Sequence, residues 1–302
     1  MDATDAPPGF VVLANGAAGS VDERSLGVAV SELAEHAPTT LRRTDSADDV
    51  DDALMTLDGR RAVVLGGDGS LHLVVNRLLA LGLGAVPIGL VPLGTGNDLA
   101  RSAGLSLDPA SAARTAATGT VRALAVAEHP DEVVVNNAHL GLGAQAALKA
   151  SGFKRYLGPA AYPMGALVAG VGPTPVDLTI EIDDAPVFDG TAIALLIALG
   201  PSAGGGHEIA PDTEPTDPAM AIVAVRQSTV SNRLALVADV LRRHDPSRRD
   251  GVEQWTGQHV RVRSAGEVGI ATRWDVDGEP RQWEHEVELQ ISEARWHLVA
   301  PG

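Results

Sequence analysis

"RAVVLGGDGSLHLVV", Arg61 to Val75, decides the fold. An apolar run meets a glycine turn, Gly66 to Gly69, and passes into a second apolar segment with helical spacing. A short unbroken apolar run closed by glycine and followed by a helix fits a strand buried on both faces, as in a parallel sheet. Among the glycines of the turn sits an acid, Asp68. Strand-to-helix glycine turns present backbone N–H groups to phosphate, and a carboxylate there repels the ligand unless a cation lies between them.

Working outward, the same grammar repeats. "GFVVLAN" (Gly9 to Asn15), "TTLRRT" and "AVPIGLVPLG" read as strands. "DERSLGVAVSELAEHA", "SADDVDDALMTL", "SLHLVVNRLLALG", "NDLARSAGL" and "DPASAARTAATG" read as helices. Alternation of this kind implies a parallel sheet covered on both faces, with its ligand beyond the carboxyl ends of the strands. From about Thr120 the pattern turns β-rich: "TVRALAVAEH", "DEVVVNNAHL", "VDLTIEID", "TAIALLIALG", "AMAIVAVRQ", "HVRVRSA", "EVGIATRWDVDG" and "HEVELQIS" are strand-like, with helices inserted at "PAAYPMGALVAG" and "VSNRLALVADVLRRH". The expected fold is α/β: an N-terminal, Rossmann-like parallel-sheet domain over residues 1–125, then a β-rich, sandwich-like domain over 126–302. Whether the final segment packs back on the first domain is left open.

Bulk properties narrow the function. With 302 residues, 45% of them apolar, the chain can build two cores. A formal charge of −16 argues against a nucleic-acid binder and against loose adsorption on an anionic bilayer. The absence of cysteine removes disulfides, zinc thiolates and thiol catalysis. The acidic, proline-bearing "MDATDAPPGF" lacks a signal-peptide pattern and predicts a cytoplasmic protein. The uncharged stretches Leu78 to Asn97 and Pro159 to Val176 are broken by glycine and proline, so no transmembrane segment is expected.

A second glycine turn, "LVPLGTGND", follows the next strand, so Gly94, Thr95, Gly96, Asn97 and Asp98 should lie beside Gly66, Gly67, Asp68, Gly69 and Ser70. Ser70 is a candidate cap for the helix after the first turn, and Asn97 or Asp98 for the helix after the second. Neither turn is a Walker A loop. "GLGAQA", Gly141 to Ala146, fits the dinucleotide pattern but lacks the acid expected about twenty residues on. The nine histidines show no metal-ligand spacing. Arg101 reads either as a phosphate contact or as an exposed ion-pair partner.

"GGDGS" followed by "PLGTGNDLAR" resembles the catalytic domain of the diacylglycerol kinase family, in its bacterial lipid-kinase branch, within the NAD kinase-like superfamily. NAD kinases share the first turn; the second favours the lipid kinases. The resemblance extends to "NGAAG" (Asn15, Gly16, Ala17, Ala18, Gly19), to Thr44 after the second strand, to "KRYLGPAAY", to "GGGHEIAPDTEPTDPAM" and to "DVDGEP". It implies ATP held by these turns, Mg²⁺ at Asp68 and Asp98, a structural Mg²⁺ at Asp217, and Glu279 as general base beside catalytic Asp68. It also implies a lipid acceptor met transiently at the inner membrane face, with a homodimer left open. On spacing alone, "VDGEP" reads equally as an Asp-Gly hairpin turn. The chain departs from the family pattern at Gly16, Leu73, Ala125 and the pair Asp217-Pro218.

Overall fold

The computed structural model describes residues 7–15, 23–141, 175–227, five positions between 229 and 239, 249–265, 274–282 and 285–302. The chain divides into two compact units, Met1–Val126 with Glu293–Gly302, and Ala127–Ser292.

The first unit alternates β1 (Phe10–Ala14), α1 (Glu23–His36), β2 (Thr39–Arg43), α2 (Ala47–Met55), β3 (Arg61–Gly66), α3 (Asp68–Ala80) and β4 (Pro87–Pro92). Then come α4 (Asp98–Ser102), α5 (Pro109–Thr118) and β5 (Thr120–Leu124). The strands β6 (Ala127–Glu128) through β18 (Glu286–Ile291) belong to the second unit, and β19 (Trp296–Ala300) returns to the first. The first sheet has the order β2-β1-β3-β4-β19-β5. Its pairs are parallel except β19 with β5, where Trp296 faces Leu124 and Ala300 faces Thr120. The segment "TVRALAVAEH" therefore splits, its first strand completing this sheet.

Local chemistry explains the elements. β1, β3 and β4 are buried almost throughout, as central parallel strands must be, whereas β2, with its Arg42 and Arg43, is an exposed edge. Helix α2 opens on a capping box: Asp49 N–H donates to Ser46 Oγ, and Ser46 N–H to Asp49 Oδ2. Helix α5 is capped by Asp108, with Pro109 in its first turn. It presents alanines to the sheet because Gly89 of β4 leaves no room for more: a Cβ there would lie 2.5 Å from that of Ala116. Phe10, Val12, Leu26, Leu33, Val63, Leu65, Val91, Ala113 and Ala116 form one core beneath α1 and α5.

In the second unit, β7 is Val133–Val134, β8 Asn137–Gly141, β9 Val176–Ile182 and β10 Ala185–Ala198. β11 (Ser202–Ala203) and β12 (His207–Glu208) make a small hairpin, and β13 is Met220–Arg226. β14 (Val252–Gly257), β15 (His259–Ala265), β16 (Trp274–Val276) and β17 (Glu279–Arg281) precede β18. The large antiparallel sheet turns on β10. Its first half, to Ala192, pairs with β9, and its second half pairs with β13 from Ala192 and with β8 from Ala194. β14, β17 and β19 were not expected as separate strands. "KRYLGPAAY" and "PAAYPMGALVAG" lie outside the described residues, as does most of "VSNRLALVADVLRRH" and of "GLGAQA".

Candidate nucleotide and phosphoryl-transfer site

The strand order places β1 and β3 side by side with their helices leaving in opposite directions, which makes their carboxyl ends the switch point where α/β sheets bind ligands. Asn15 follows β1 there and Thr44 follows β2, its N–H donating to Ala14 O at 3.0 Å. Gly16, Ala17, Ala18 and Gly19 lie outside the described residues.

The two glycine turns pack backbone against backbone. A Cβ on Gly94 would stand 2.4 Å from Gly67 Cα, and one on Gly67 would stand 2.9 Å from Gly94 Cα. Leu93 N–H donates to Gly66 O at 2.9 Å, tying turn to turn. Helix α3 begins at Asp68 with Gly67 as its N-cap, and no side chain caps it. Ser70 is therefore not the cap; it sits within the first turn, close under Gly66. Nor does Asn97 cap α4 through its side chain. Its backbone is left-handed, at φ 53°, and its amide group turns back instead, accepting from Gly94 N–H at 3.0 Å and donating to Gly94 O at 2.8 Å. That reciprocal clamp fixes the second turn.

The acids meet at Gly96. A Cβ there would stand 2.9 Å from Asp68 Oδ2 and 3.5 Å from Asp98 Oδ2. Asp68 Oδ1 also accepts Leu99 N–H at 3.4 Å, so the first turn's acid reaches the start of the second turn's helix. Asp98 is buried. Arg101 Nε donates to Gly96 O at 3.2 Å, which holds its guanidinium beside the second turn. Two hard carboxylates beside a bare glycine suit Mg²⁺, which takes one or two carboxylates and completes its shell with phosphate and water. No group of three or more His, Asp or Glu forms a full metal cage among the described residues. The donor set therefore fits a cation shared with a bound polyphosphate. Asp217 lies in a turn of the second unit, its carboxylate accepting Glu214 N–H at 2.7 Å.

Glu279 lies in the second unit, exposed, in the β16–β17 hairpin. The Asp-Gly turn reading holds: Asp277 and Gly278 both have positive φ, 51° and 88°, as a two-residue primed turn requires. Asp277 does more than turn. Its buried carboxylate accepts N–H groups from Val135 (2.8 Å), Asn136 (2.8 Å) and Asn137 (2.9 Å), while its own N–H donates to Asn137 O. Arg281, at the end of β17, grips Glu132 through two hydrogen bonds of 2.7 and 2.9 Å. The hairpin is thus anchored on both sides of Glu279. Sequence reasoning missed Asp277, since an acid before glycine already accounts for itself as a turn residue.

Residues 9–129 match the family described as "Diacylglycerol kinase catalytic domain", and residues 136–288 match "YegS C-terminal NAD kinase beta sandwich-like domain". A chain from Staphylococcus epidermidis provisionally named a lipid kinase is 27% identical over 233 residues, 76% of this chain and 72% of that one. A diacylglycerol kinase of Bacillus subtilis is 28% identical over 182 residues, 60% and 59% of the two chains. Among solved structures, a diacylglycerol kinase from Bacillus anthracis superposes with a TM-score of 0.77 at 18% identity, covering 97% of each chain. An NAD kinase from Archaeoglobus fulgidus in complex with ATP gives 0.52 at 14% identity, covering 96% and 93%. These two likenesses show a shared fold.

Proposed function

We infer, since this chain belongs to the diacylglycerol kinase catalytic-domain family in its bacterial lipid-kinase branch, that it transfers the γ-phosphate of ATP to a hydroxyl of diacylglycerol or a related lipid. The observation that carries this reading is the meeting of Asp68 and Asp98 at Gly96, between two interlocked glycine turns on adjacent parallel strands. Phosphoryl transfer is mainly positioning and charge neutralisation, so a rigid, glycine-walled phosphate site with a pair of carboxylates is the part such an enzyme must build. Bound Mg²⁺ supplies the positive charge that lets acid and phosphate share the site.

In this reading Asn15, Thr44 and both glycine turns hold ATP at the carboxyl ends of the strands. Asp68 and Asp98 hold the cation or its waters. Glu279 accepts the proton of the acceptor hydroxyl as that oxygen attacks. The departures at Gly16 and Leu73 leave these three acids in place. No helix among the described residues is long and apolar enough to cross a membrane, and a formal net charge of −16 disfavours tight adsorption on an anionic bilayer. We therefore place lipid encounter at a membrane surface and make it brief.

The test is to incubate purified protein with labelled ATP, Mg²⁺ and panels of lipid and soluble hydroxyl acceptors, in parallel with Glu279→Gln. Labelled lipid that disappears in the variant is the expected result. Full-rate labelling by the variant would remove Glu279 from its role, and labelling of soluble acceptors alone would replace the lipid reading. Asp68→Ala should lower transfer by more than about a hundredfold, in line with losing a main electrostatic contact, while the protein keeps its native circular dichroism.

A further inference from the structure

A partly buried imidazole lies on the strand beside the hairpin that carries Glu279. His139 of β8 and Asp275 of β16 are direct partners across their antiparallel pair. His139 Nε2 stands 3.5 Å from Asp275 Oδ1, with the two side chains only 14% and 8% exposed. That same Asp275 oxygen accepts Gly278 N–H at 3.0 Å, inside the two-residue turn that precedes Glu279. On its far side the ring is unsatisfied, because His139 Nδ1 is buried and has no hydrogen-bond partner among the described residues. An aromatic hydrocarbon ring of similar size would fill this place without stranding a nitrogen, so packing alone does not account for a histidine. What the imidazole adds is a ring nitrogen 3.5 Å from a buried carboxylate that, among the described residues, accepts the Gly278 amide.

We propose that His139 is a positioning residue for Glu279: with its proton on Nε2 it holds the Asp275 carboxylate in place, and that carboxylate fixes the Gly278 turn that sets where Glu279 stands. Placing the proton on Nε2 follows from the partners, since an acid faces that nitrogen and no acceptor among the described residues bonds Nδ1. Asp277, with its three amides, anchors the turn to the 135–137 segment; the His139–Asp275 pair sets it within the plane of the β8–β16 strands. The inference rests on the reading of Glu279 as the base and extends it to the residues that aim it. A general base works only within hydrogen-bond reach of its proton, and about 1 Å of misplacement costs about a hundredfold.

The experiment compares the full chain with His139→Phe, which keeps a ring but no donor, and His139→Gln, which restores an N–H. Two readouts are taken: the backbone amide resonances of Gly278 and Glu279, and steady-state kinetics with ATP and lipid acceptor. We expect His139→Phe to shift both amides and to lower kcat about ten- to hundredfold with the KM for ATP unchanged, and His139→Gln to recover most of both. Unmoved amides, an unchanged kcat, or a KM for ATP that rises in step with the loss would each overturn the positioning role while leaving the kinase reading intact. A wild-type protein that labels no acceptor would overturn the kinase reading, and the catalytic role of the pair with it.

Discussion

A methyl group added at Gly96 would crowd two carboxylate ends and no backbone, whereas one added at Gly94 would strike Gly67 Cα. The two substitutions therefore separate site from scaffold. Gly96→Ala should leave the melting temperature nearly unchanged, because the flexible Asp68 and Asp98 ends can yield, yet weaken Mg²⁺-dependent ATP binding about tenfold in a calorimetric titration. Gly94→Ala should cost about 1–3 kcal/mol in urea denaturation, since an overpacked backbone contact has nowhere to relax. Asp277 offers a third measurement. Asn accepts the same left-handed backbone, so Asp277→Asn keeps the turn and alters only the carboxylate that receives three amides. The expected loss is about 2–3 kcal/mol, read as a lower denaturation midpoint at unchanged slope.

At the scale of elements, helix α5 shows how an acid cap makes stability depend on pH. Ser111 N–H and Oγ both donate to Asp108 Oδ2, at 2.9 and 2.8 Å, and the backbone bond foremost holds this carboxyl below its ordinary range. A pKa lowered by folding contributes stability above the unfolded value of about 4, and that contribution is lost as pH falls through the lower folded value. Asp108→Ala should therefore melt below the wild type at pH 7, with the gap closing as pH drops below about 4. The helix itself was legible from Asp108 and Pro109, as β1, β3 and β4 were from their apolar runs. The start of α3 was read two residues late because glycine is a weak sequence signal for a cap. β14, "VEQWTG", escaped because its side chains are half exposed and mostly polar, so no apolar alternation marks it. Both glycine turns and their acids stood out in the chain, since glycine spacing is local. The Asp277 clamp did not, because its amides lie about 140 residues earlier.

For the molecule as a whole, the last ten residues matter out of proportion to their number. β19 lies between β4 and β5, and Trp296, Leu298, Val299 and Ala300 are fully buried. Deleting 293–302 should open the first unit to limited proteolysis and abolish ATP binding, although every glycine and acid of the proposed phosphate site remains in the shortened chain. Survival of ATP binding at wild-type affinity would show that β19 is dispensable. The arrangement also sets an order of events during synthesis. A ribosome releases β1 to β5 early, but the strand that closes their sheet emerges only after all of Ala127–Ser292 has been made. Until then β4 and β5 expose unpaired edges, the state in which nascent chains recruit chaperones or aggregate, and the half of the protein translated first is completed last.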